Sequence, residues 1–295
     1  MSFLVGTMLL AVVTAVACAL PGAFVVLRRG SMLVDAISHA VLPGIVVGYF
    51  FTHDLDSPLL IAGAALAGLV VVLGSEYLGR TGLVTGDAPQ GLVFPALFSV
   101  GVILVTLNFA NVHLDTHAVL VGDLNLAAFS PLVLGGMNLG PSYLYVMLGV
   151  LVLNLVFILA SYPQLTVTSF DPQFAHSVGI GVKRLNTVFM FLVSLTVTAA
   201  FHAAGAILVV ALVVVPPATA HLLTRRLLAM LGLTVAIAAG GALAGFWLAY
   251  VLDAATSAGM AVFYGLCFAA TLLGTRAYRR SRRRIAQRRQ SLPVG

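Results

Sequence analysis

About nine runs of roughly twenty apolar residues follow one another between residues 3 and 275, with short polar breaks between them. A helix needs about 20 such residues to cross a bilayer's hydrocarbon core. The chain therefore reads as an all-α, polytopic membrane helix bundle. The nine expected spans lie near 3–27, 32–51, 58–79, 89–109, 142–161, 184–201, 204–223, 227–252 and 260–275. Composition agrees, with 61% of residues hydrophobic, 8% charged and a mean hydropathy of +1.10. Soluble domains do not have that balance. The first run lacks a basic leader and an evident cleavage site, so it reads as a span and not as a signal peptide. Cys18 and Cys267 fall in apolar runs and read as small buried hydrophobes.

The basic residues set an orientation. Arg28 and Arg29 follow span 1, Arg80 follows span 3, Lys183 and Arg184 open span 6, and Arg225 and Arg226 separate spans 7 and 8. Eight further arginines run from Arg276 to Arg289. Nine spans with the N-terminus outside put all of them, and the C-terminus, on one side. The positive-inside rule makes that side the cytoplasm. The opposite loops carry Asp54, Asp56, Asp115, Asp123 and Asp253 and no basic residue. Eight or ten spans would push one basic cluster outside. The domain reading is one transmembrane domain over 1–275 and a basic cytoplasmic tail over 276–295.

The net charge of +6 comes from that tail, RAYRRSRRRIAQRR. A polybasic segment beside a span is drawn to anionic lipid. Tyr278 is its only aromatic residue, so base stacking is absent and nucleic acid is not an expected partner. Segments 20–30 and 216–226 echo each other, as prolines near span ends that stop at a double arginine. Transporters use internal repeats of that kind.

Asp35 and His39 stand four residues apart in VDAISHAVLPG. Ionisable residues inside a membrane are costly and usually face a bundle interior or a wet cavity. One helical turn puts both side chains on one face. A carboxylate oxygen and an imidazole nitrogen suit a divalent ion such as manganese, iron or zinc. Ser38 adds a polar atom between them. Two ligands from one chain become four across a twofold axis, and symmetric dimers are the commonest oligomers. The competing reading is an Asp–His hydrogen bond that only joins helices. Pro43 and Gly44 follow one turn later, where a kink would open the backbone beside the pair.

The stretch SFDPQFAHSVGIGVKR falls between spans 5 and 6, on the basic side. Asp171 is a good N-cap, Pro172 fits the first helical position, and Gly179 suits a C-terminal cap. Phe174, Ala175 and Val178 are expected on one stripe of this short helix. It reads either as an amphipathic connector or as a knob for a soluble partner such as an ATPase. His113, Asp115 and His117 alternate in a segment that reads as a solvated loop or an outer metal contact. A half-helix is expected within 110–141. His202 and Asp253 fall at outer span ends and could line a vestibule. His176 and His221 read as surface or structural groups.

H-E-x-x-H, Walker A and G-x-S-x-G sequences are all absent, which removes the corresponding protease, ATP-binding and hydrolase readings. The chain is not expected to be an enzyme.

LRRGSMLVDAISHAVLPG (Leu27–Gly44) closely resembles the signature of permease subunits of the manganese/zinc/iron ABC importers. FDPQFAHSVGI (Phe170–Ile180) resembles their coupling segment, including Phe170, Asp171, Pro172, Phe174 and Gly179. GAILVVALVVVPPATA (Gly205–Ala220) and LVGDL (Leu120–Leu124) resemble two further family motifs. The sequence departs from the pattern at Pro217, where alanine is common, and in LDAATSAGM, where Pro-Thr-Gly is typical.

The resemblance implies a bacterial cytoplasmic-membrane permease. It implies a second permease chain, identical or paralogous, two cytoplasmic ATPases on the coupling segments, and an extracytoplasmic protein that delivers the metal. It matches the family's pore aspartate and histidine to Asp35 and His39. SHAVLPG looks most like the manganese branch, with zinc and iron as alternatives. No permanent cofactor is implied, because the metal is cargo. From the residues alone, a proton-coupled secondary transporter remains an alternative.

Overall fold

The computed structural model describes residues 3–53, 57–108, 124–134 and 137–290. Four long helices come first: α1 (Phe3–Leu27), α2 (Ser31–Thr52), α3 (Pro58–Arg80) and α4 (Ala88–Asn108). Next are a short α5 (Leu124–Ala128) and an antiparallel hairpin of β1 (Pro131–Leu134) and β2 (Met137–Pro141). The chain ends with α6 (Ser142–Phe170), α7 (Pro172–Ser177), α8 (Val182–Leu223), α9 (Leu227–Val251) and α10 (Thr256–Gln290).

Among the described residues, eight helices are long and apolar enough to cross a membrane, against nine expected spans. The difference lies in α8, which carries both the expected sixth and seventh spans over 42 residues. A straight helix of that length would measure about 63 Å, twice a bilayer core. Asn186, in its first turn, bonds to Arg28 at the end of α1. Ala220, in its last turn, packs with Ala23 of α1. Both ends of α8 thus return to the same end of α1. The reversal falls at Gly205, with φ 76° and ψ 164°, a backbone state open in practice only to glycine. Phe201 and Ala206, on either side of it, pack together with Val41 and Ala64.

The helices alternate in direction. Gly44 meets Gly63 and Ala64, and Gly48 meets Leu60, so α2 and α3 are antiparallel. Gly241 meets Tyr264 and Gly245 meets Met260, so α9 and α10 are too. This alternation gathers Arg28–Arg29, Arg80, Lys183–Arg184, Arg225–Arg226 and Arg276 at one end, the basic end. At the other end, the Phe129 ring packs on Phe3 at a tilt of 42° with centroids 4.9 Å apart, and Asn125 donates to Thr256 at 2.8 Å. A half-helix was expected within 110–141; the described part of that stretch forms one short helix, Leu124–Ala128, and two paired strands at that end. The prolines 131 and 141 at their edges and the glycine pair 135–136 favour the hairpin. Residues 109–123 lie outside the described residues. Helix α10 runs through the basic tail to Gln290.

Helix α1 and the two arms of α8 form the core, joined by α6, α9 and α10. Three buried or part-buried polar side chains bond across helices, the kind of contact that joins helices in lipid. Asn154 donates to Thr196 at 2.7 Å, Ser194 to the Ala65 carbonyl at 2.8 Å, and Tyr143 to the Ala199 carbonyl at 2.7 Å. Helices α2, α3 and α4 form a flank, attached to the core mainly through α8.

Candidate functional site

Helix α2 starts three residues after α1, across Arg28, Arg29 and Gly30. Arg29 turns the chain with φ 58°. Leu33, Val34, Ala36, Ile37, Ala40 and Val41 are buried against neighbouring helices. Asp35 and His39 project from the remaining face. His39 Nε2 lies 3.8 Å from Asp35 Oδ1, and the two side chains are 37% and 48% exposed. That separation is beyond hydrogen-bond range. The two groups are therefore close and partly exposed, within ion-pair distance but not hydrogen-bonded to each other. A buried Asp–His hydrogen bond that only joins helices is not what they form.

Ser38 does not join the pair. It is 2% exposed, and its hydroxyl donates to the Val34 carbonyl at 3.0 Å. One residue before His39 means a rotation of about 100° around the helix, which turns Ser38 inward. The expectation of a third polar atom between the ligands was wrong for that reason.

Pro43 lies inside α2 and cannot donate to the carbonyl of His39, one turn back. Gly44 has a different task. A Cβ there would run into the backbone of Ala64 and Gly63, so the glycine permits a close crossing of α2 and α3.

Helix α4 supplies two side chains that the sequence reading overlooked. The His39 ring stacks on Phe94, with centroids 5.1 Å apart at 19°, and meets the edge of Phe98 at 6.2 Å and 86°. These rings hold the imidazole plane from one side. Their spacing of one helical turn in the expected fourth span was the available signal.

Among the described residues, no group of three or more His, Cys, Asp or Glu could hold a metal ion. Asp35 and His39 present two donor groups, a carboxylate and an imidazole, whereas first-row divalent ions take about four to six ligands. His202 lies beside Tyr143 at 5.0 Å, exposed, at the end opposite the basic one. Asp253, also exposed there, adopts φ 51°. His113, Asp115 and His117, with Asp54, Asp56 and Asp123, lie outside the described residues. His176 and His221 are exposed at the basic end.

The capped helix of the 170–181 segment is α7. Asp171 Oδ1 accepts from the Phe174 amide at 2.9 Å, and Pro172 takes the first position. Gly179 closes the helix with φ 82°, while the Ile180 amide bonds back to the Ala175 carbonyl at 3.0 Å. The expected stripe does not form as stated. Ala175 is fully buried, while Phe174 and Val178 are exposed together with Phe170. Adjacent positions 174 and 175 are about 100° apart on a helix, so they cannot share a face. Three large apolar side chains thus stand outward on the basic end.

Arg28 is the other overlooked residue. Its Nε donates to Ser169 Oγ, Nη1 to Asn186 Oδ1 and Nη2 to Thr168 Oγ1, each at 3.0 Å. The guanidinium also sits 4.9 Å from the centre of the Phe189 ring. Burial pushes its pKa down to about 10, which leaves it charged at neutral pH.

Residues 1–274 match the ABC 3 transport family. The chain is 42% identical over 273 residues to the manganese transport system membrane protein MntD of Bacillus subtilis, covering 92% of each. It is also 42% identical over 266 residues to the zinc transport system membrane protein TroD of Treponema pallidum, covering 90% of this chain and 72% of TroD. Among solved structures it superposes on a chain of PsaBC from Streptococcus pneumoniae in complex with Fab. The TM-score is 0.75 at 26% identity, with 92% of this chain and 91% of that chain covered. The chain thus belongs to the ABC 3 transport family, as a multi-pass permease subunit of a metal ABC importer in the bacterial inner membrane, not itself an enzyme.

Proposed function

We propose that the chain forms half of a pore for a divalent transition-metal ion, manganese first, and that Asp35 and His39 are its transient ligands. The observation that carries this is the placement of the two side chains side by side, 3.8 Å apart and partly exposed, on one face of α2. Two ligands are too few for a site within one chain, so a second permease chain, identical or paralogous, supplies the rest. The likeness to PsaBC, whose name pairs two components, supports a paired pore. Manganese binds weakest in the first-row series, so geometry and delivery must provide selectivity, and weak binding lets the ion leave.

In this reading an extracytoplasmic metal-binding protein docks at the end opposite the basic one. Cytoplasmic ATP-binding subunits dock on α7 through Phe170, Phe174 and Val178, with Asp171, Pro172 and Gly179 holding that helix in shape. Closure of those subunits displaces α7 and switches the pore. The exposed apolar knob at the basic end supports this docking. The basic tail lies against anionic lipid.

Manganese is preferred because the match to MntD covers 92% of both chains. Zinc stays as the second reading, because TroD is as similar in identity. Membership of an ABC family leaves the proton-coupled alternative without support.

The test is metal accumulation in cells that carry Asp35→Ala or His39→Ala. Loss of uptake, with the protein still in the membrane, supports the site. Normal uptake in both variants overturns it. Competition between manganese and zinc in the unaltered protein decides the metal.

A further inference from the structure

Two adjacent arginines at the end of α1 behave differently. Arg29 is exposed and suffices to mark the cytoplasmic side. Arg28 is part-buried, held in a cradle of three neutral oxygens and one aromatic face. Partly burying a cation has a cost, and orientation in the membrane does not require it. Arg28 therefore has a second task.

Its partners indicate that task. Thr168 and Ser169 are in the last turn of α6, immediately before Asp171 and α7. Asn186 is in the first turns of α8, just after the 170–181 segment. One side chain thus ties both roots of that segment. On its own strand of chain, Arg28 stands seven residues before Asp35, with only Arg29, Gly30 and the first turn of α2 between them. Helix α7 itself packs on α6 and α8. Between it and the α1–α2 junction is a cavity of about 340 Å³, bordered by Arg28, Thr168, Ser169, Pro172 and Asn186. Beside that gap, the three bonds of Arg28 tie the α1–α2 junction to both roots of the segment, in addition to the packing of α1 and α2 on α8.

We propose that Arg28 is the positioning residue that transmits displacement of the 170–181 segment to α2, and so to Asp35 and His39. The inference rests on the coupling and pore readings above. Arginine suits the task because its planar fork makes three bonds in fixed directions, which lysine cannot do.

The experiment reconstitutes the permease with its ATP-binding subunits in liposomes and reads manganese uptake and ATP hydrolysis in parallel. In Arg28→Met, hydrolysis is expected to stay within twofold of the unaltered complex while uptake falls at least tenfold. Arg28→Lys keeps the charge but not the fork and is expected to fall between the two. Asn186→Ala removes one acceptor and leaves Arg28 in place. It is expected to lower uptake per ATP by about threefold, and it decides the matter alone if Arg28→Met does not assemble. Unchanged uptake per ATP, or uptake and hydrolysis falling in proportion, overturns the proposal. Failure of the coupling reading shows up separately. In that case Phe174→Ala with Val178→Ala would still capture the ATP-binding subunits at unaltered levels.

Discussion

The open face of α2 and the 170–181 segment are both short, polar-containing stretches, yet they are finished to different degrees. The 170–181 segment closes its own bonds. Asp171 caps the start, Gly179 turns the end, and Ala175 seats the helix. The Asp35–His39 pair closes no hydrogen bond. The two side chains lie 3.8 Å apart and partly exposed, and the His39 ring is steadied from one side by Phe94 and Phe98. A segment that satisfies itself can act as a rigid handle. A pair left open is, in the function proposed above, completed by an ion and a second chain.

The largest expected effect falls on the open pair. Asp35→Ala combined with His39→Ala should cut manganese uptake at least about 100-fold, since losing even a supporting partner of a metal ligand costs about 10–100-fold in affinity. Uptake assays with a membrane blot check it, and residual uptake above a tenth would break the contrast. Next comes the crossing that positions the pair. Gly44→Leu must push α3 away, and overpacking costs about 1–3 kcal/mol. The protein level in membranes should fall several-fold, as read by quantitative immunoblot.

Smaller effects belong to the self-contained segment. Asp171→Ala removes a cap bond of about 1 kcal/mol and should lower coupled uptake by roughly fivefold. Asp171→Asn keeps an oxygen acceptor and should restore most of it; equal losses in both variants would show that charge, not capping, matters there. The smallest effect is expected from Phe98→Ala. An aromatic contact is worth about 0.5–1.5 kcal/mol, so the apparent KM for manganese should rise about threefold with little change in maximal rate.

What could be read from the sequence follows the range of the forces involved. Hydropathy located the helices, because the solvent for each is lipid. It did not distinguish their surroundings. Helices α4 and α8 have mean hydropathies of 2.0 and 2.4, yet 6% and 67% of their apolar windows are buried. The capping of α7 was legible because Asp171, Pro172 and Gly179 act on neighbours a few residues away. The cradle of Arg28 was not, because its partners lie 140 to 158 residues along the chain. The joining of two expected spans rests on the backbone of one residue, Gly205, which nothing in an apolar run singles out. The hairpin over 131–141 had its signal in a glycine pair, overlooked because the stretch is apolar enough to pass for a helix.

Gly205 also bears on how the molecule is made. The two arms of α8 share a single residue where other span pairs have a loop. During synthesis there is no tether long enough for one arm to wait in lipid while the other is still being translated. The arms must partition together, as one hairpin delivered sideways from the insertion machinery. Insertion of these two arms is therefore one event, and a side chain at position 205, strained at its positive φ, should be felt there before it is felt in transport.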